Sequence, residues 1–280
     1  MADAIRLRGA ALPGRSLVRD ALTVAAVLYL AWVWQFLLTA GSHVDVAAYW
    51  RAAAGDPYAL SHLGGEGALL YSPVASQVLG PFAAMPLAIL VGTLLAVSLG
   101  ALVYLVGPVI AALTLITPLP FVWQDLGSGN IHILVAAATV LGFRYPATWS
   151  FVILTKLTPG IGMLWFAVRR EWRSLAIGLG VTALLSLISF VLARDLWFQW
   201  FDVLRANAGA APAGIPVPVP LMIRLPVAAI IVCWGARTDR AWTVPLAAML
   251  ALPAIWVWDG FAVLLGVLSL LRWPARATAR

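Results

Sequence analysis

Charge is what this sequence has least of. Of its 280 residues 10% are charged and 63% hydrophobic, where a soluble domain carries about 25% charged residues. A soluble fold of this length could not keep that much apolar surface from water. Two stretches, 21–42 and 67–124, hold no charged residue at all. One helix crossing a bilayer needs about 20 such residues, so the first stretch reads as one span and the second as two or three. Cysteine is also nearly absent. Cys233 stands alone, which excludes an internal disulfide, and no metal-ligand spacing occurs. Lysine is reduced to Lys156, the other seventeen basic residues being Arg. There is no Gly-rich phosphate loop. Neither a metal nor a cofactor is expected.

What is present is a pattern of apolar runs with arginines at their ends. A net charge of +7 would suit a nucleic-acid partner if it formed a face. Distributed this way it is orientation charge, and the expected partner is the lipid bilayer, with no nucleic acid. Arg6, Arg8, Arg15 and Arg19 precede the first run. That run is too long for a secretion signal and no small-residue cleavage site follows, so it reads as a retained helix.

The expected fold is all-α, a single transmembrane domain over 1–280 with about ten helices. Residues 1–20 form a cytoplasmic N-terminus. Spans are expected near 21–40, 69–86, 88–106, 108–123, 131–143, 147–168, 173–193, 219–236, 241–258 and 260–273. Breaks are set by Pro86 and by Gly107-Pro108. Alternating these spans puts the N-terminal arginines, Arg169, Arg170, Arg173, Arg237, Arg240 and the C-terminal arginines on one side. Arg51, Arg144, Arg194 and Arg205 fall on the other. The arginine-rich side is then cytoplasmic, in a plasma membrane. A first outer loop, 41–68, and a second outer segment, 194–218, face outward. The second begins with an aromatic-rich stretch from Asp195 to Arg205 that suits a helix lying on the membrane surface. It continues as a proline-rich strap over 211–220 that cannot be helical.

Ionisable groups in or beside apolar spans are costly and mark function. Here they are Asp45, Asp125, Lys156, Arg224 and Asp259. The densest polar group is the first outer loop. There Asp45 follows closely on the first span, in apolar company that raises a carboxylate toward the range where it accepts a proton from a hydroxyl. The plain alternative is a helix-capping or solvated acid. Lys156, deep in an expected span, suits an anionic phosphate or a structural pair with Asp125 or Asp259. Arg224 offers a planar fork for phosphate or an interfacial anchor. Tyr49, Tyr58 and Tyr71 can line a sugar site by stacking and hydrogen bonding, or belong to the interfacial belt. Asn130 is most simply a helix cap and His132 a bonded interior histidine. His43 and His62 read as loop residues.

The spacing Asp45-x3-Tyr49-x5-Gly55-x-Pro57-Tyr58, with Tyr71-Ser72-Pro73 thirteen residues further on, resembles the first outer loop of glycosyltransferase family 87. Leu126-Gly127-Ser128-Gly129-Asn130 looks like that family's Gly-Gln-x-Asn element, with Ser128 in the place of Gln. Lys156-Leu-Thr-Pro159, followed by Arg169-Arg170-Glu171-Trp172-Arg173, looks like its Lys-x-x-Pro and basic turn. The resemblance spans roughly residues 15 to 175. It implies a GT-C-like bundle and an inverting hexosyl transfer, mannosyl in most members. The donor would be a polyprenyl-phosphate sugar, the acceptor a lipid-linked or glycan hydroxyl on the outer face. Asp45 would be the base, and Tyr49, Tyr58, Tyr71, Asn130, His132, Lys156 and Arg224 would contact substrate. The rival readings are a polytopic transporter, suited by an intramembrane Lys and Asp, and a non-catalytic membrane scaffold. A polar path through the whole bilayer would favour transport.

Overall fold

The computed structural model describes residues 13–59, 68–117, 120–208, 218–255 and 260–274. His62, Glu66, Asp259 and most of the proline strap lie outside these residues. Among the described residues the protein is all-α, with no strand. The helices are α1 (Pro13–Ala40), α2 (Val44–Ala54), α3 (Pro73–Leu79), α4 (Leu87–Val106), α5 (Pro108–Ile116), α6 (Pro120–Ser128) and α7 (His132–Leu141). There follow α8 (Trp149–Thr155), α9 (Leu164–Val168), α10 (Trp172–Leu192), α11 (Arg194–Asn207), α12 (Leu221–Arg237), α13 (Thr243–Leu250) and α14 (Leu265–Arg272). Among the described residues three helices are long and apolar enough to cross a membrane: Leu17–Ala40, Leu87–Val106 and Trp172–Leu192. A fourth span results if α5 and α6, which meet at 97°, count as one.

Proline position explains why so few helices are full length. A proline within a helix clashes with the carbonyl four residues back and donates no hydrogen bond. Ile116, where α5 ends, lies four residues before Pro120, and Thr155, where α8 ends, four before Pro159. The packing surfaces are leucine, valine and alanine. Val33, Leu102, Leu105, Ile133, Ala136 and Val232 are among the fully buried residues. The outward faces of α1, α10 and α12 expose large apolar side chains such as Leu28, Leu187, Val191, Met222 and Ile230, as a lipid-facing helix does.

One end of the bundle is marked by arginine. Arg169 pairs with Glu171 at 2.9 Å and Asp239 at 2.8 Å and lies over the Trp165 ring. Arg240 lies over Trp234, and Arg272 over Trp273 while donating to the Val106 carbonyl. Arg beside Trp is the composition of a membrane interface.

Two expected spans are corrected here. Residues 69–86 do not form a spanning helix. Leu69–Ser72 are non-helical, α3 has 7 residues, and a 3-10 turn, Gly80–Ala84, follows. Pro73, Pro81 and Pro86 break the run, and the whole segment packs on α2 and α11 at the end away from the arginines, where the Trp50 indole donates to the Met85 carbonyl. Residues 147–168 do not run straight either. The chain rises through α8, reverses at Lys156 (φ −135°, ψ 91°) and returns through a 3-10 turn, Thr158–Met163, and α9. The return leg lies against the rising one. A Cβ on Gly162 would strike the Trp149 ring, and that ring meets Phe166 edge-on at 6.4 Å. Phe143 in turn packs on Trp165, the ring beneath Arg169. Both feet of this hairpin are therefore at the arginine end, and so is Arg144, which alternating straight spans had put on the opposite side. Covalent breaks are readable in sequence, but the direction of the chain after a break is set by packing.

Sidedness can be tested directly. With Cys233→Ala as background, single cysteines replacing Arg144 and Thr238 should react with an impermeant maleimide from one side of sealed vesicles. A cysteine replacing Asp202 should react from the other. Labelling of positions 144 and 238 from opposite sides would remove the hairpin.

Candidate functional site

The site forms where three separate pieces of chain meet at the end opposite the arginines: the start of α2, the turn between α6 and α7, and the tip of the hairpin. His43 enters α2 in the left-handed region (φ 51°), with its backbone N–H bonded to the Gly127 carbonyl at 2.8 Å. That bond ties α2 to the 127–130 turn. The turn also needs a glycine at 129, where φ is 74° and a Cβ would collide with Val46. No larger residue allows so close an approach. Both ring nitrogens of His43 are buried without a partner among the described residues, so it is less ordinary than its loop position suggested.

Asp45, in the first turn of α2, faces two polar groups of that turn. The Asn130 amide donates through Nδ2 to Oδ2 at 3.2 Å, and the Ser128 hydroxyl is placed to favour the ionised carboxylate. Asn130 cannot turn its amide over, because its Oδ1 already accepts the Ile131 N–H at 2.8 Å. Burial raises the Asp45 carboxyl above its ordinary value, and the Ser128 hydrogen bond and the Lys156 and His132 charges pull it back.

Behind Asp45 lies a second carboxylate, Asp125, fully buried. Its Oδ1 accepts the His132 N–H at 3.2 Å and His132 Nδ1 at 2.9 Å, and its Oδ2 accepts the Ile133 N–H at 3.0 Å. The carboxylate thus caps the first orphan donors of α7.

Lys156, at the hairpin tip, holds its ammonium 5.4 Å from the centre of the Tyr71 ring and within electrostatic reach of both Asp45 and Asp125. Tyr71 shares a 2.8 Å hydroxyl–hydroxyl hydrogen bond with Tyr49, one helical turn beyond Asp45. The hydroxyls of Ser72 and Thr158, next to Tyr71 and two residues past Lys156, are buried with no partner among the described residues.

Asp45, Tyr49, Tyr71, Asn130, His132 and Lys156 therefore converge. Tyr58 and Arg224 are placed elsewhere. Tyr58 donates to the Tyr71 carbonyl at 2.9 Å, but its ring lies in a separate cluster with Trp197 and Trp200 of α11. It braces the Tyr71 segment from behind. Trp200 does the same by donating to the Leu70 carbonyl. Arg224 spends its guanidinium on four backbone carbonyls: Val219 (2.7 Å), Leu250 (2.6 Å), Leu252 (2.7 Å) and Pro253 (3.1 Å). It holds together the chain beyond α13, where helix carbonyls lack intrahelical partners. Arg224→Ala should therefore lower stability by at least about 3 kcal/mol, since several buried acceptors lose a charged donor. A thermal melt unchanged from wild type would contradict that role.

Sequence reasoning gave Asp125 no place beside Asp45 and took Ser128 as a departure from pattern. The spacing that would have pointed to Asp125 is an acid seven and eight residues before two helix-opening N–H groups, a signal visible only once the turn is closed.

A family model described as glycosyltransferase family 87 matches residues 69–279. No curated protein and no solved structure matches the chain. The matched stretch contains Tyr71, Asp125, Ser128, Asn130, His132 and Lys156 and begins after Asp45, which joins them through its contacts with Ser128 and Asn130.

Proposed function

Since the chain belongs to glycosyltransferase family 87, we propose that it moves a hexose, mannose first among candidates, from a polyprenyl-phosphate donor to a lipid-linked or exported hydroxyl. Transfer takes place at the end of the bundle opposite the arginines, on the outer face of the plasma membrane, with the N-terminus cytoplasmic. The observation that carries this reading is the meeting of a half-buried carboxylate, fixed by two donors, with the chain's one lysine. Asp45 is the general base that takes the acceptor proton as the hydroxyl oxygen attacks the anomeric carbon. The bond from that carbon to the phosphate oxygen breaks on the opposite face, and configuration inverts. Lys156 and the hydroxyls of Ser72 and Thr158, which have no partner among the described residues, receive the phosphate. Tyr49 and Tyr71 form a wall for the sugar, with Asn130 and His132 at its floor. Tyr58 and Arg224 act through the Tyr71 segment and the α13 end rather than on substrate.

The bundle belongs to the GT-C type on this reading. On it the chain crosses the bilayer several times, with 146–168 re-entrant. Transport is disfavoured by the packing below the site. Ile133, Ala136, Ala137, Val140, Trp149 and Phe166 are buried and apolar between His132 and the arginine end, so no polar path continues downward through them.

The test is incubation of purified protein in lipid nanodiscs with synthetic polyprenyl-phosphate mannose or glucose and cell-envelope lipid extract, followed by product mass. A hexose added to an extract component by wild-type protein and not by Asp45→Asn supports the assignment. No product with any polyprenyl-phosphate sugar would sink it.

A further inference from the structure

Asp125 is fully buried, as is His132, and Asp125 neither binds nor deprotonates anything in the reaction as written above. Four hydrogen bonds nevertheless run from the following eight residues to Asp125. Its carboxylate takes the N–H groups of His132 and Ile133 and the His132 ring, and its own carbonyl takes the Asn130 N–H at 2.9 Å. These bonds wrap residues 125–133 around one side chain. The wrapped turn then presents outward the two donors that hold Asp45. Asn130 reaches it with its amide locked, and the Ser128 hydroxyl accepts the Asn130 N–H at 3.3 Å on the side of the turn that favours ionised Asp45.

We propose that Asp125, with His132, is the positioning residue of this site: its carboxylate folds the 127–130 turn so that Ser128 and Asn130 aim their donors at Asp45. The inference takes Asp45 as the working carboxylate and in that respect rests on the proposed function. Asp125 is too deeply enclosed to meet a sugar hydroxyl. The 2.9 Å hydrogen bond between its carboxylate and the His132 ring, with the two backbone N–H bonds beside it, makes the α6–α7 corner a rigid unit rather than a loop. A rigid corner suits a base whose misplacement by about 1 Å can cost a hundredfold in rate.

The proposal can be separated from a mere charge effect, because the two have opposite signs. The charged and titratable groups facing Asp45 are Lys156 from the hairpin, His132 from α7, Asp125 from α6 and Tyr49 from its own helix. Acting only through space, the negative charge of Asp125 disfavours ionised Asp45. Removing it would then let Asp45 ionise at lower pH. Acting through the turn, Asp125 supplies two donors that favour ionised Asp45. Losing them lets Asp45 hold its proton to higher pH.

Dicyclohexylcarbodiimide attacks protonated carboxyls in apolar surroundings, so its labelling of Asp45, read by peptide mass spectrometry across pH, follows that proton without any substrate. Asp125→Asn should move the labelling midpoint to higher pH, as should the double variant Ser128→Ala/Asn130→Ala. Combining all three substitutions should add nothing beyond the double variant, since the effects run through the same donors. In the transfer assay Asp125→Asn should lose up to about 100-fold in kcat with donor KM little changed. A midpoint moved to lower pH or left in place, or a triple variant with fully additive effects, overturns the positioning role. Should Asp125→Asn fail to fold, Asp125→Glu carries the test. It keeps the charge and displaces the carboxylate, so an unshifted midpoint overturns the proposal and a raised one supports it. Because labelling needs no donor, a wild-type protein inactive in every transfer assay would sink the functional reading while the midpoints still decide this one.

Discussion

Asp45→Asn should reduce sugar transfer by about 10²–10⁴-fold, the range general-base removal covers, in protein that folds and binds donor as before. Asparagine keeps the shape and the Oδ acceptor that Asn130 and Ser128 address, but it accepts no proton. The proton moves only in the transition state, so the loss belongs to kcat rather than to donor KM. The same residue sets the pH dependence. Only ionised Asp45 is a base, and burial raises its carboxyl above the ordinary aspartate value. Activity should therefore fall on the acid side at a higher pH than a solvent-exposed aspartate would give, and recover as pH rises through that limb. Asp45→Glu should also be severely impaired, because the extra methylene carries the carboxylate past both donors. Wild-type turnover in Asp45→Asn would take Asp45 out of the mechanism.

Lys156→Ala should weaken donor binding by about 10- to 150-fold, the equivalent of about 1.5–3 kcal/mol for one charge-assisted hydrogen bond to phosphate. Acceptor KM should change little. A second consequence follows from its neighbours. Lys156 is one of the charges that pull the Asp45 carboxyl down, so its loss should also move the acid limb of the pH profile upward. Lys156→Arg keeps the charge and should keep the limb in place, while its larger planar head fits the tip of the hairpin less well. If Lys156→Ala alters the melting temperature and leaves donor KM untouched, the ammonium serves the two carboxylates and the Tyr71 ring alone.

These residues show where sequence reasoning reaches and where it stops. Asp45 stood out because a carboxylate close behind a long apolar helix is expensive wherever it ends up. Lys156 stood out for the same reason, although the straight span drawn around it was wrong. Arg224 obeyed the same rule and proved to be a clamp on backbone carbonyls. The cost of a buried charge says that it must be paired, and the partner is supplied by whatever chain folds beside it. Tyr58 and Tyr71 sit in one motif, yet a hydrogen bond sends one behind the extended segment that carries the other.

The sequence by itself determined the solvent: with 10% charged residues this chain belongs in lipid, whatever its topology. It also determined the breaks, because a proline disfavours the helical turn that precedes it through local sterics. Tertiary structure alone decided that 146–168 turns back on itself, that 69–86 stays at one end, and that Asn130 meets Asp45 across 85 positions of chain. Those outcomes depend on ring packing, on a glycine that lets Val46 approach, and on hydrogen bonds between distant segments. None of these is a property of any one stretch of residues, so none can be read before the stretches are brought together.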